Sequence, residues 1–554
     1  MLTRSRLSML IFTVVLSAPT QAETLNIKIL GLNDFHGQIS KGRVVKNEPV
    51  GGAPVLAAYL KQAQAGMENR TIITISGDQV GASTPASGLL HDEPAILFTN
   101  SLGNEYCSPA APMNPLCNIV ATVGNHEFDK GQKAMMDLIY GTNSPPTDAW
   151  IPLQYYPGAS YPYVSANIVD AQTEKPLFPP YVIKSVQGIP IAFIGVVTKN
   201  AADSMFPSNA EGVKFLDEAS AINHYVPEMR AAGAQIIIAI MHEGGNQISY
   251  EGETRNNTRV EGSIVHIVDQ LDDHIDVVMG GHTHQFLNAY LPNHNGVKIL
   301  VTQANSYSMA FAEVNLQIDS KTHQVKNKSA KIITTYANRG PGTTPDEAAQ
   351  KIVRYAEEKV DPIINAQVGT TANPITRKQN EDGESTLGNF TADAFRAELQ
   401  TDIGISNLHG LRDDIKAGII TWGNVYSVLP FSNQIVNVSL TGQDLFDLFE
   451  QQWAAGYPNI LQVSGINVSY DPRKPEGQRI IDIQFQGKTL DKEQRYTIAT
   501  SDFIASGGGN FSVMKKSKLI QVGDADYNTL THYIKTLPSP VMVSIEGRIK
   551  KFER

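Results

Sequence analysis

Asn118-Ile-Val-Ala-Thr-Val123, followed at once by Gly124-Asn125-His126-Glu127-Phe128-Asp129, is the stretch that decides the fold. A short β-branched apolar run ends in glycine, an amide, an imidazole and carboxyl groups. That is the signature of a buried strand with chemistry at its end. The arrangement recurs along the chain. Leu25-Asn-Ile-Lys-Ile-Leu30 leads to Asn33-Asp34-Phe35-His36, and Thr71-Ile-Ile-Thr-Ile-Ser76 to Gly77-Asp78. Ile236-Ile-Ile-Ala-Ile-Met241 leads to His242-Glu243-Gly244, and Ile275-Asp-Val-Val-Met279 to Gly280-Gly281-His282-Thr283-His284. Ile189-Pro-Ile-Ala-Phe-Ile194 is a further run of the same kind. Separated by helix-compatible stretches, these runs predict buried strands of an α/β sandwich whose site gathers at the strand ends.

The residue types at those ends suit metal ions. Read as extended chain, Asp34-x-His36 puts both side chains on one side, because side chains alternate along a strand. Asp78 has two oxygens with which to bridge two cations, Asn125 offers an amide oxygen, and His242, His282 and His284 offer imidazoles. Mixed nitrogen and oxygen donors suit first-row ions such as Mn, Fe, Co or Zn and argue against a calcium cage. Any one such motif alone is more often a packing or surface feature. Five at successive strand ends point instead to a pair of ions, which at about 3.5–4 Å separation clamp a phosphate and generate hydroxide at neutral pH. His126 and Asp129 are three apart, a spacing that lets them meet on one helical turn.

Outward from this core, the chain of 554 residues exceeds one ordinary domain and points to two. Arg4 and Arg6 precede the apolar run Met9–Leu16 and the small residues up to Ala22, the pattern of a secretory signal covering residues 1–22. A first domain is expected over 23–337. A linker over 338–369 should carry a connecting helix capped by Thr344, with Ala348, Ile352, Tyr355, Ala356 and Lys359 at helical spacing until Pro362 interrupts it. A second domain fills 370–554. Cys107 and Cys117, the two cysteines of the chain, read as a disulfide stapling a local loop, worth on the order of 2–3 kcal/mol in an oxidising compartment. No other apolar run approaches ~18 residues, so the expectation is an exported protein, periplasmic or secreted, without a membrane anchor. Lys plus Arg is 45 against 55 Asp plus Glu, which excludes a generally basic surface for a nucleic acid polymer while leaving room for one cationic pocket.

In their order, Asp34-x-His36, Gly77-Asp78, Gly124-Asn125-His126-Glu127, His242 and Gly281-His282-Thr283-His284 resemble the five blocks of the calcineurin-like metallophosphoesterase superfamily. With its second region, the mature chain resembles the secreted 5′-nucleotidase family, which includes UDP-sugar hydrolases and NAD nucleotidases. The resemblance implies a four-layer metallophosphoesterase α/β sandwich, a connecting helix about which the second region rotates, and a second α/β (α+β) substrate-binding domain. It implies that Asp34, His36, Asp78 and His284 hold one divalent ion, and Asp78, Asn125, His242 and His282 another, both being Zn, Mn or Co. Some members carry glutamine or asparagine where His284 stands. It also implies a catalytic pairing of His126 with Asp129. Asn407-Leu-His-Gly-Leu-Arg412 is similar to a family turn whose asparagine and arginine, Asn407 and Arg412 here, hold the nucleotide. Phe431, in Pro430-Phe431-Ser432-Asn433, and Phe503, before Ser506-Gly-Gly-Gly-Asn510, resemble the two rings of a base clamp, with Asn433 placed to read a base edge. Leu408 and His409 stand where the family usually has glycine, and Gly509 where it has an aspartate.

The function these features imply is hydrolysis of nucleoside 5′-monophosphates by in-line attack of metal-activated water. A nucleotide pyrophosphatase acting on NAD or UDP-sugars is the second enzymatic reading. A nucleotide- or metal-binding surface protein without turnover is the third, against which His126 and Asp129 count, since storage needs neither.

Overall fold

The computed structural model describes residues 24–142, 156–256, 259–454 and 458–552; the expected signal segment lies outside them. The chain forms a two-domain α/β fold. In the first domain two six-stranded sheets face each other. One has the order Gly252–Glu253, Val325–Thr334, Ala310–Asp319, Thr24–Leu32, Thr71–Ser76, Ile119–Thr122; the other runs Phe286–Pro292, Lys298–Ala304, Ile275–Met279, Ile236–His242, Ile189–Val197, Tyr181–Val186. Thr24–Leu32 pairs parallel with Thr71–Ser76, which pairs parallel with Ile119–Thr122. Ile236–His242 lies parallel between Ile189–Val197 and Ile275–Met279. The motif-bearing strands therefore all end on one rim, where loops converge.

Continuous apolar runs form these strands because both faces of each sheet are covered. Ile27 and Ile29 pack between the sheets with Ile191, Phe193 and Ile238. On the outer face of the first sheet, Leu30, Ile73 and Ile75 pack with Leu56 and Leu60 of the helix Ala53–Gln64. Outside the second, Ile237 and Ala239 pack with Ile222 and Val226 of Glu218–Ala231 and with Val268 of Ser263–Asp269. The result is the four-layer arrangement. The second domain is built on a five-stranded sheet, Gln462–Ser464, Ile403–Ser406, Arg495–Ser501, Gln434–Thr441, Lys518–Ala525, and a four-stranded one. Cys107 and Cys117 are joined, with Cα atoms 4.6 Å apart.

The helix between the domains differs in detail from its sequence reading. It spans Glu347–Ile364 and is capped by Asp346, whose side chain accepts from Ala349 N at 3.0 Å and also pairs with Lys61. Thr344 lies outside it. Asp346 wins because its carboxylate reaches both the free amide and a lysine of the first domain. Pro362 sits inside the last turn, where a missing N–H removes one bond and the helix still runs two residues further. The buried seam is Ala349, Val353, Ala356 and Val360, packed into the first domain's outer core; of the expected row Ala356 lies in it, Ile352 and Tyr355 flank it partly buried, and Ala348 and Lys359 are exposed.

One buried charge sets a pH response. Lys184, on the edge strand Tyr181–Val186, is wholly buried, and its Nζ donates at 2.9 Å to the Asn114 carbonyl in the disulfide loop. Burial pushes its ammonium down to about 7. The unfolded chain keeps that proton to about pH 10.4, so between roughly pH 7 and 10 the unfolded state binds more protons and stability rises with pH. Lys184→Met is therefore expected to stabilise the protein by about 2 kcal/mol near pH 6, with the gain shrinking toward pH 10. Thermal melts across that range check it, and a pH-independent difference would refute the assignment.

Candidate metal centre

Seven side chains collect where the strands end. Asp34 and His36 follow Thr24–Leu32, Asp78 follows Thr71–Ser76, Asn125 follows Ile119–Thr122, His242 closes Ile236–His242, and His282 and His284 follow Ile275–Met279. Asp34, His36, Asp78 and His284 offer ligand atoms within 4.8 Å of one another, and so do Asp78, His242 and His282. Asp78 belongs to both groups. Its Oδ2 lies 3.2 Å from His242 Nε2 and 3.7 Å from His36 Nε2. Asn125 Oδ1 is 3.1 Å from His242 Nε2, and His284 Nε2 is 3.4 Å from Asp34 Oδ1.

Asp34 and His36 do not converge by strand alternation, as the sequence reading supposed. Both are left-handed, with φ of 50° and 49°, and so are Asp78 (49°), His282 (72°) and His284 (55°). Such a backbone costs non-glycine residues on the order of 1–3 kcal/mol each and persists where neighbours over-determine it. The neighbours are visible. Glu127 accepts from the backbone N–H of Asp78 (3.0 Å), Gln79 (2.7 Å) and Gly124 (2.5 Å), tying the Asp78 loop to the Asn125 loop. Asn33 donates to Asp34 Oδ2 at 2.7 Å while its Oδ1 accepts from Ala304 N at 3.0 Å. At Gly77 (φ 77°) a Cβ would lie 2.6 Å from both Gly124 N and His242 Nδ1, so only glycine lets the loops approach so closely.

The donor set fits divalent cations. His36 Nδ1 donates to the Gly81 carbonyl at 2.8 Å and His242 Nδ1 to the Ser76 carbonyl at 2.7 Å, which turns both Nε2 lone pairs inward. His36 Nε2 then faces His284 Nε2 at 3.0 Å, and His242 Nε2 faces two oxygens. Acceptors crowded upon acceptors are the arrangement a cation resolves. Burial lowers His36 well below the usual imidazole range and lowers His282 as well, keeping both neutral and ready to ligate. For His242 burial acts the same way, but the Asp78 carboxylate and their hydrogen bond prevail and raise it to about 10. For Asp78 burial would push upward, and the His242 and His126 imidazoles instead hold it well below the carboxylate range. A divalent ion held by this pair would displace the proton they share, so binding it would be coupled to proton release.

Beside the ligands, His126 Nδ1 donates to both oxygens of Asp129, at 3.0 and 2.9 Å. Burial works against its charge, but the Asp129 and Asp78 carboxylates outweigh it and raise the imidazole. Asp129 Oδ2 also accepts from Ala82 N at 3.1 Å. Among the described residues, Phe431 and Arg412 of the second domain reach this spot. The Phe431 ring stacks on His126 with centroids 5.6 Å apart and planes at 21°, and Arg412 Nη2 donates to the Tyr307 hydroxyl at 3.1 Å. Among the described residues, the contacts of Asn407, Asn433 and Phe503 are made within the second domain. Asn407 is buried, its carbonyl accepting from Gly410 N at 3.3 Å. Asn433 donates to Asp526 Oδ2 at 3.1 Å, and burial pushes that carboxyl up to about 8. Phe503 packs against the second core beside Gly508.

Sequence reasoning passed over Glu127, Asn33, Tyr307 and the Ser76 and Gly81 carbonyls. Glu127 carries a local signal, its place between His126 and Phe128 at a strand end, whereas backbone carbonyls and the distant Tyr307 carry none.

The calcineurin-like phosphoesterase family model matches residues 27–286, and the 5′-nucleotidase C-terminal domain model matches residues 367–516. The chain is 30% identical to Endonuclease YhcR of Bacillus subtilis (strain 168) over 96% of its own length but 41% of that protein's. It is 30% identical to Cell wall protein Lmo0130 of Listeria monocytogenes serovar 1/2a, covering 94% of this chain and 68% of the relative. The crystal structure of a 5′-nucleotidase precursor from Thermus thermophilus superposes with a TM-score of 0.78 at 23% identity, covering 96% of this chain and all of that one, a likeness of fold.

Glu127→Ala removes the acceptor of three buried amides and is expected to cost about 3 kcal/mol and to lower bound metal, although Glu127 faces no ligand position. Thermal unfolding together with metal analysis of the purified variant checks this. A wild-type metal content at wild-type stability would contradict the bracing role.

Proposed function

The chain belongs to the 5′-nucleotidase family of calcineurin-like phosphoesterases, and we propose that it is an exported dimetal phosphohydrolase releasing phosphate from nucleoside 5′-monophosphates. The observation that carries this reading is the stack of Phe431 on His126, a second-domain aromatic laid against the dyad at the rim of the ligand cluster. A pure metal store needs no such meeting. In this reading Asp34, His36, Asp78 and His284 hold one ion, and Asp78, Asn125, His242 and His282 the other. Divalent ions so held supply positive charge against phosphoryl oxygens and lower the pKa of water.

The chain's own groups do the rest. Arg412 brings a planar guanidinium to the same place, suited to a phosphate dianion. With Nδ1 committed to Asp129, His126 presents Nε2 to the substrate, where its proton stabilises growing charge on a phosphoryl oxygen or passes to the departing ribose oxygen. Phe431 fixes the imidazole plane and keeps water from its face. Asn407, Asn433 and Phe503 complete the nucleotide site on the second domain. Export is supported by the Cys107–Cys117 bond, which belongs to oxidising compartments. Among the described residues no helix is long and apolar enough to cross a membrane.

Chelation is expected to abolish AMP hydrolysis and Mn, Co or Zn to restore it, while His126→Ala lowers kcat by about 10²–10⁴ and Asp78→Ala leaves no measurable turnover. Phosphate release from AMP, compared with cleavage of NAD and UDP-glucose under one condition, is the decisive assay. Full turnover by metal-free protein would end the reading, and faster cleavage of NAD or UDP-glucose would make the enzyme a pyrophosphatase.

A further inference from the structure

Tyr307 lies on the loop after Lys298–Ala304 and stands apart from every sequence motif. Its backbone is left-handed (φ 54°), as are Asn305 (53°) and Ser308 (58°), and its N–H donates to the Asp34 carbonyl at 2.7 Å. The loop is braced again by Ser308, whose Oγ accepts from Gly52 N at 2.7 Å. The phenol ring is thereby driven against two ligand imidazoles. It lies 5.1 Å from His36 at 32° and 5.4 Å from His284, edge on, at 84°. The Arg43 guanidinium lies 3.8 Å over the ring centroid. The side chain is clasped, and its one polar atom accepts from Arg412 across the domain boundary. Next to Arg412, Asp413 pairs with Arg43 at 3.7 Å, so consecutive residues of the second domain are gripped by Tyr307 and by the arginine stacked on it.

A phenylalanine would fill the same space; the hydroxyl is what reaches the arginine. Arg412 Nε is buried and has no hydrogen-bond partner among the described residues. Its fork is thus held at one corner and unpaired at another. Building on the phosphohydrolase reading above, we infer that Tyr307 is a positioning residue for the reaction: its hydroxyl sets the Arg412 guanidinium at the metal centre, in register with His36 and His284, so that the free Nε–H meets the substrate phosphate. A guanidinium already fixed loses less freedom when it takes up its anion.

A double-mutant cycle tests this, because groups acting through one another are non-additive. In the metal-reconstituted enzyme, Tyr307→Phe is expected to lower kcat/KM for AMP about tenfold, chiefly by raising KM. In an Arg412→Ala background the same change should cost less than about twofold. A second readout is independent of turnover: calorimetric titration of chelator-treated protein with AMP, where Tyr307→Phe should weaken binding in the parent and not in Arg412→Ala. Thermal midpoints and metal content of all variants should match the parent. Equal losses in both backgrounds, or no loss in the parent, would overturn the role of Tyr307 while leaving the hydrolase reading intact. A parent enzyme that binds AMP but releases no phosphate would overturn that reading, and the calorimetric cycle would still decide whether Tyr307 positions Arg412.

Discussion

The centre depends on Asp78 being shared. Its Oδ2 lies within reach of His36 on one side and His242 on the other, so a single carboxylate sets the spacing of both ligand groups. That position is imposed from behind, by the Glu127 carboxylate on the amides of Asp78, Gln79 and Gly124. A buried acid saturated with backbone donors resists movement, since any shift leaves charge or amides unpaired in low dielectric. Two loops from neighbouring parallel strands become one rigid piece, and the remaining ligands are arranged around it.

The cost of this rigidity appears in the backbone. Asp34, His36, Asp78, His282 and His284 all sit in a conformation that side chains disfavour. Strain at so many ligands survives because the two sheets beneath are fully packed and the loops are pinned by Asn33, Glu127 and main-chain carbonyls. Side chains preset in this way would need little rearrangement to take up a cation.

The strands and the motifs at their ends were legible in the sequence because burial on both sheet faces demands uninterrupted β-branched runs, and those runs stop where polar residues begin. Strand alternation does not account for the Asp34–His36 pairing, since left-handed turns are invisible to a period of two. The helix at Glu347–Ile364 is legible as a helix, and Ala356, Ile352 and Tyr355 do face the first domain's core, whereas the cap is Asp346 and not Thr344 because Lys61 pairs with Asp346. Of the second-domain residues, Phe431 meets His126 and Arg412 meets Tyr307 beside the candidate centre, while Asn433 is turned to Asp526. Tyr307 could not have been read from local pattern at all: its partners, Arg412 toward one end of the chain and His36 toward the other, are both remote in sequence.

The seam of Ala349, Val353, Ala356 and Val360 welds the interdomain helix to the first domain. Ile364 at its end abuts Gly423, and two residues on, the Ala366 carbonyl accepts from Trp422 N at 2.8 Å, already inside the second domain. The covalent passage from the long helix into the second half therefore runs through Asn365 alone, with first-domain packing on one side of it and second-domain hydrogen bonding on the other.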